Sequence, residues 1–127
     1  MAHLRLTLEL GCAEKAIENV TEKDIDYLRG LCETIYTLAG KKDDSDNFSN
    51  TLMHEKDMEF HTEIMKLSGN SLINSLLPLV VEFFDEQFLS SLSNEIEFKK
   101  GYQEHFEMVD ALQNGDFEKL SAVIRSH

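Results

Sequence analysis

The sequence predicts an all-α bundle of about six helices. Apolar residues recur at three- and four-residue spacing through six segments. Capping and turn signals separate those segments. No stretch alternates apolar and polar residues in the manner of a half-buried strand.

In "MAHLRLTLELGCAEKAIENV", Leu4, Leu8, Ala13 and Ile17 keep helical spacing and predict a first helix over about 3–19, weakened modestly by Gly11. Thr21 is a good N-cap for the second, with acidic residues in its first turn. Ile25, Leu28, Leu31, Cys32, Ile35 and Leu38 form its apolar stripe, and Gly40 ends it. After the polar loop "KKDDSDN" at 41–47, a long third helix is predicted to about 68, where "SGN" signals a C-cap and turn. The fourth segment, "SLINSLLPLVVEFFDEQFLSSL", is apolar around much of its circumference, which predicts a central helix with a kink or break at Pro78. "SNEI" at 93–96 offers a fresh N-cap for a fifth helix to about 113. "NGD" at 114–116 then breaks the chain, and Asp116 caps a short sixth helix.

Length and charge narrow the function. At 127 residues the chain is read as one domain, 1–127, large enough to bury a core without disulfides. Twelve basic against twenty-four acidic residues give a net charge of −12, which repels phosphate backbones and argues against this chain gripping nucleic acid. Cys12 and Cys32 form no CxxC pair, and a reducing, cytoplasmic location is expected. The apolar run "LLPLVV" is far too short to span a bilayer, and neither a signal peptide nor a membrane partner is expected.

The histidines fall on inward faces. A helix turns about 100° per residue, so positions four apart lie about 40° from each other. On the third helix Met53, Phe60, Ile64 and Leu67 define the core stripe. Asp57 stands at its margin, and His61 follows one turn later. His105 shares a face with Tyr102, Val109 and Leu112 on the fifth helix, and His127 continues the series Phe117, Leu120, Ile124 on the sixth. A single inward histidine is commonly a hydrogen-bonded core residue. Three of them with a carboxylate leave several polar atoms to satisfy, and a divalent cation does so at once. Imidazole and carboxylate donors suit zinc, nickel, iron or manganese rather than calcium. The residues alone leave two readings open, a metal site and a metal-free polar cluster in a structural interaction domain.

Other chemistries fit poorly. "HEKDM" starts like HExxH, but Met58 stands where the second histidine belongs. No histidine has a glutamate three residues before it, as di-iron bundles require. Neither a nucleophile elbow nor a glycine-rich phosphate loop is present. Glu59 and Glu104 point to helical faces other than those of Asp57 and His105, so no general base is evident. A sensor is expected rather than an enzyme, the alternative being a small metal-dependent hydrolase on a helical bundle.

"DMEFHTEIMKLSGNSLI" resembles the D-x-x-F-H…S-G-N-x-x-(L/I) signature of the FCD domain, the C-terminal effector-binding domain of FadR-type transcription regulators in the GntR family. "EHFEMVDALQNGDFEKLSAVIRSH" is similar to that family's closing segment, with twenty-two positions from His105 to His127. The opening "LRLTLELGCAEKAIENVTEKDIDYL" resembles its first two helices, with their leucine–glutamate pair and threonine cap. The likeness covers essentially the whole chain. It implies an antiparallel bundle around a central cavity and a divalent metal held by Asp57, His61, His105 and His127. Zinc is the expected ion, with nickel, iron and manganese as alternatives. It further implies a small carboxylate effector, a homodimer, and control of DNA through an N-terminal winged helix-turn-helix that is expected to be absent from this chain. Many members supply an effector-binding arginine from the fourth helix, but residues 79–88, "LVVEFFDEQF", contain none. That favours a more apolar acid or an amphipathic effector, with Arg5, His54, Phe84 and Tyr102 as pocket candidates and Lys99 or Lys100 as substitute cations.

Overall fold

The structure is a computed structural model that describes residues 2–40, 47–79, 82 and 95–126, with side chains described over 7–38, 52–79, 82 and 103–126. It is all-α, as the periodicity predicts. The helices are α1 (Ala2–Asn19), α2 (Glu22–Gly40), α3 (Asn47–Lys66), α4 (described over 71–79), α5 (Glu95–Asn114) and α6 (Phe117–Ser126).

Local chemistry sets the ends. Thr21 and Asp24 cap α2 reciprocally: the Asp24 amide donates to Thr21 Oγ1 at 3.3 Å, and the Thr21 amide donates to Asp24 Oδ2 at 2.9 Å. Between α3 and α4, Gly69 adopts a φ of 70°, which only glycine takes without strain. Asn19, at the end of α1, donates its Nδ2 to the Leu67 carbonyl at 2.8 Å and so satisfies an orphan acceptor of α3. Asn70 Oδ1 then accepts from the Leu72 and Ile73 amides and starts α4. At the end of α5, Gly115 has a φ of 67° and donates to Leu112, while the Asp116 amide donates to Ala111, a Schellman closure. Asp116 Oδ1 accepts from the Lys119 amide at 3.1 Å and begins α6.

Packing runs in a closed order around the molecule. α1 lies against α3, α3 against α2, α2 against α5, α5 against α6, and α6 returns to α1. α1 and α2, joined by only two residues, are separated by α3 rather than packed along each other. The main core fills this ring with Leu28, Ile35, Phe60, Ile64, Met108, Leu112, Leu120 and Ile124. Burying each of these side chains contributes roughly 1.5–3 kcal/mol. A smaller cluster of Cys12, Met58, Met65 and Leu77, with Leu8 and Ile73 beside it, joins α4 to α1 and α3. No helix among the described residues is long and apolar enough to cross a membrane.

Two expectations need correction. The described part of α4 is not central: Leu77 is buried, but Leu72, Leu76 and Leu79 are 67%, 39% and 53% exposed. Among the described residues of α4, the stripe through Ile73 and Leu77 meets α1 and α3, while Leu72, Leu76 and Leu79 face outward. Residues 71–79 also stay helical through Pro78 rather than breaking there, and the expected continuation towards residue 92 lies outside the described residues. Phe117 is the second correction, at 45% exposed. It occupies the first position of α6, before the helix engages the core, and Leu120, Ser121, Val123 and Ile124 form the buried face.

Candidate metal centre

α3 and α5 are not neighbours in the ring of helices, yet their side chains meet across the interior. Asp57 and His61 stand four residues apart and therefore on one side of α3. The His61 side chain is 1% exposed and that of Asp57 26%. His105 arrives from α5, equally enclosed. Its Nε2 lies 2.9 Å from Asp57 Oδ1, while His61 Nε2 is 3.5 Å from the same oxygen. The two imidazole Nε2 atoms are 3.3 Å apart. Phe60 walls the cluster, with ring centroids 4.6 Å from His105 and 5.4 Å from His61.

These three atoms form a group that could hold a metal ion. The geometry fits a first-row divalent cation. With the three donor atoms 2.9–3.5 Å from one another, Asp57, His61 and His105 would hold such a cation together. Two imidazoles and a carboxylate also have the donor character that zinc, nickel, iron and manganese accept.

The fourth buried polar group is Glu9, on α1. Its side chain is 1% exposed, and Oε1 lies 2.5 Å from His61 Nδ1. The two nitrogens of the His61 ring thus serve different partners, Nδ1 facing Glu9 and Nε2 facing Asp57 and His105. Burial alone would lower the His61 pKa, but the Glu9 and Asp57 carboxylates outweigh it and push the value up to about 9. Burial would likewise raise the Asp57 carboxyl, but the His61 charge and the hydrogen bond from His105 hold it well below the usual carboxylate range. That direction favours an imidazolium on His61 between the Glu9 and Asp57 carboxylates. A metal would take the place of the proton on Nε2.

The other sequence candidates distribute as follows. His54 is half-buried one turn before Asp57 and is not one of the three converging donors. Arg5 stands on α1 and Tyr102 on α5, with side chains outside the described set; Phe84 and His127 lie outside the described residues altogether. Glu9 was not among the candidates. Its signal was its register: positions 9, 12, 13 and 16 form one face of α1, and the other three are small, fully buried residues. Glu104 also proves to be buried. It points away from His105, as its register predicts, and accepts a hydrogen bond from the Ser126 hydroxyl in the last turn of α6.

Comparison with known proteins places this geometry in context. The family model described as FCD domain matches residues 1–127. Among solved structures, the chain is similar to E. coli McbR/YncC, with a TM-score of 0.78 and 17% identity over 98% of this chain and 57% of that one. That likeness is one of fold, and the chain spans little more than half of the E. coli protein's length. No curated protein matches the chain.

Proposed function

The chain belongs to the FCD domain family, and we propose that it is the effector-sensing domain of a cytoplasmic GntR/FadR-type transcription regulator. In this reading it holds a divalent metal on Asp57, His61 and His105, with His127 as the expected fourth protein ligand, and binds a small organic acid. The observation that carries the reading is the convergence of Asp57 Oδ1, His61 Nε2 and His105 Nε2 within 3.5 Å of one another.

A bound divalent ion would supply concentrated positive charge and open coordination positions for a carboxylate. The chain's own residues do the rest. Asp57 and His61 present α3 to the site, and His105 presents α5, so occupancy of the site would tie these two helices together. An effector that binds one arrangement of these helices better than another shifts the population towards it, and only that difference in affinity can be transmitted. DNA binding would belong to a winged helix-turn-helix outside this chain, in a homodimer, in keeping with the net charge of −12 here. Zinc is the expected ion. With Glu9 engaged on the Nδ1 side of His61, it is not placed to activate a metal-bound water, and a sensor fits this arrangement better than a hydrolase.

Elemental mass spectrometry on the purified chain beside His105→Ala tests the reading. About one divalent ion per chain, lost in the variant, is expected, with small carboxylic acids then raising the melting temperature of the loaded protein. Wild type without metal after reconstitution would leave a metal-free polar cluster instead.

A further inference from the structure

Glu9 is an expensive residue to bury. A carboxylate taken out of water is destabilising unless a partner and hydrogen bonds compensate. Its Oε1 lies 2.5 Å from His61 Nδ1, and each side chain is 1% exposed. The contact is long-range in sequence and joins α1 to α3. It also falls on the one ring nitrogen of His61 that does not face Asp57 or His105. The two nitrogens of an imidazole point away from each other, so a carboxylate at Nδ1 stays outside a metal's coordination sphere while determining which nitrogen enters it.

We propose that Glu9 is the positioning residue of the metal centre: its carboxylate accepts the Nδ1–H hydrogen bond of His61, fixing the ring and its tautomer so that Nε2 is presented to the cation. This rests on the metal-binding reading above and extends it from α3 and α5 to α1. The main core and the smaller cluster flank the contact, since Ala13 and Ala16 of α1 belong to one and Cys12 to the other. Glu9 is therefore set by packing on both sides, as a group that orients another needs to be. Outer carboxylates of this kind also make the ligating nitrogen more basic, and their loss typically weakens metal binding by about 10–100-fold.

The test uses the full 127-residue chain, zinc as the probe, and two readouts. Zinc affinity is measured by competition with a chromophoric chelator for wild type, Glu9→Gln and Glu9→Leu. Glu9→Gln keeps the shape and an acceptor but loses the charge, and an affinity loss of about tenfold is expected; Glu9→Leu should lose up to about 100-fold. Nitrogen-15 spectra of zinc-loaded wild type give the second readout, which needs no variant to fold. His61 should carry zinc on Nε2 and a proton on Nδ1, with that proton strongly downfield and moving upfield in Glu9→Gln. Zinc on Nδ1 of His61, or unchanged affinity in both variants beside a zinc-binding wild type, overturns the role of Glu9 and leaves the metal site standing. A wild type that binds no zinc overturns both.

Discussion

His61 and His105, 44 positions apart, bring their Nε2 atoms to 3.3 Å, and both of these atoms face the same oxygen of Asp57. Two nitrogens so close, aimed at one carboxylate, can share it as Nε2–H donors or through a cation held between them. With its pKa pushed up to about 9, His61 carries a proton on Nε2 that a cation binding there would displace.

Proton release follows directly. His61 has its pKa pushed up to about 9, so at pH 7 it holds the proton that a metal would displace. Zinc binding at pH 7 is expected to release about one proton from His61, and affinity should fall about tenfold per pH unit from pH 9 down to pH 7. Isothermal titration calorimetry in buffers of different ionisation enthalpy reads the proton count. Binding enthalpies that do not change with buffer would contradict the placement of zinc on His61 Nε2.

The same groups set the pH dependence of the metal-free fold. His61 has a folded value of about 9 against an ordinary 6.5, so its stabilisation is complete below pH 6.5 and is lost as pH rises through about 9. Asp57 is depressed below its ordinary 3.8, so its stabilisation is present above that value and is lost as pH falls below it. Chelator-treated protein should therefore be most stable between about pH 4 and 6.5. Melting temperature against pH should show the alkaline decline in wild type and not in His61→Gln. A wild-type curve that stays flat from pH 6.5 to 9 would show that His61 is not held as an imidazolium.

A third expectation concerns the turn after α3. Asn19 Nδ2 caps the Leu67 carbonyl at 2.8 Å, and Gly69 holds a φ of 70° beside it. Asn19→Ala should cost about 0.5–1.5 kcal/mol, the net value of one hydrogen bond. Gly69→Ala should cost about 1–2 kcal/mol through left-handed strain. An added Cβ would meet Asn19 Nδ2 only at ordinary contact distance, 3.5 Å. Urea denaturation of the two single variants and the double measures this. Gly69→Ala as stable as wild type would mean that the turn can relax.

These examples show what was legible in the sequence. Thr21 and Asp116 cap through contacts within three residues, so their roles can be read from short strings; Asn70, which reads as part of a turn, also caps over that range. Asp57, His61 and His105 were conspicuous because polar groups occupied core-facing registers of α3 and α5. The order of helices around the ring was not legible, because periodicity shows which face is buried and not against which neighbour. The role of Glu9 is hidden in the sequence for a related reason. A lone glutamate between leucines reads as a solvated charge until its partner, 52 positions away, is seen beside it. Leu72, Leu76 and Leu79, exposed in the described part of α4, mark the converse case, since apolar character around a helix does not by itself make that stretch central.

Metal loading should couple to stability through Asp57, and this separates a ligand from a merely buried neighbour. A ligand that binds only the folded state stabilises it by about 2.7 kcal/mol at a hundred times its dissociation constant. For a domain of this size that corresponds to a rise of roughly 10 °C in melting temperature. Asp57→Asn keeps the shape and an acceptor for the His105 Nε2–H, which lies 2.9 Å from Asp57 Oδ1. It removes the charge that attracts the cation, so the variant should remain folded and gain little from zinc at the concentration that shifts wild type. Differential scanning fluorimetry of both proteins, with chelator and with zinc, makes the comparison. Equal zinc-dependent shifts would mean that the ion binds elsewhere, because a site built on Asp57 Oδ1 cannot lose its only carboxylate donor among the three converging groups and keep its affinity.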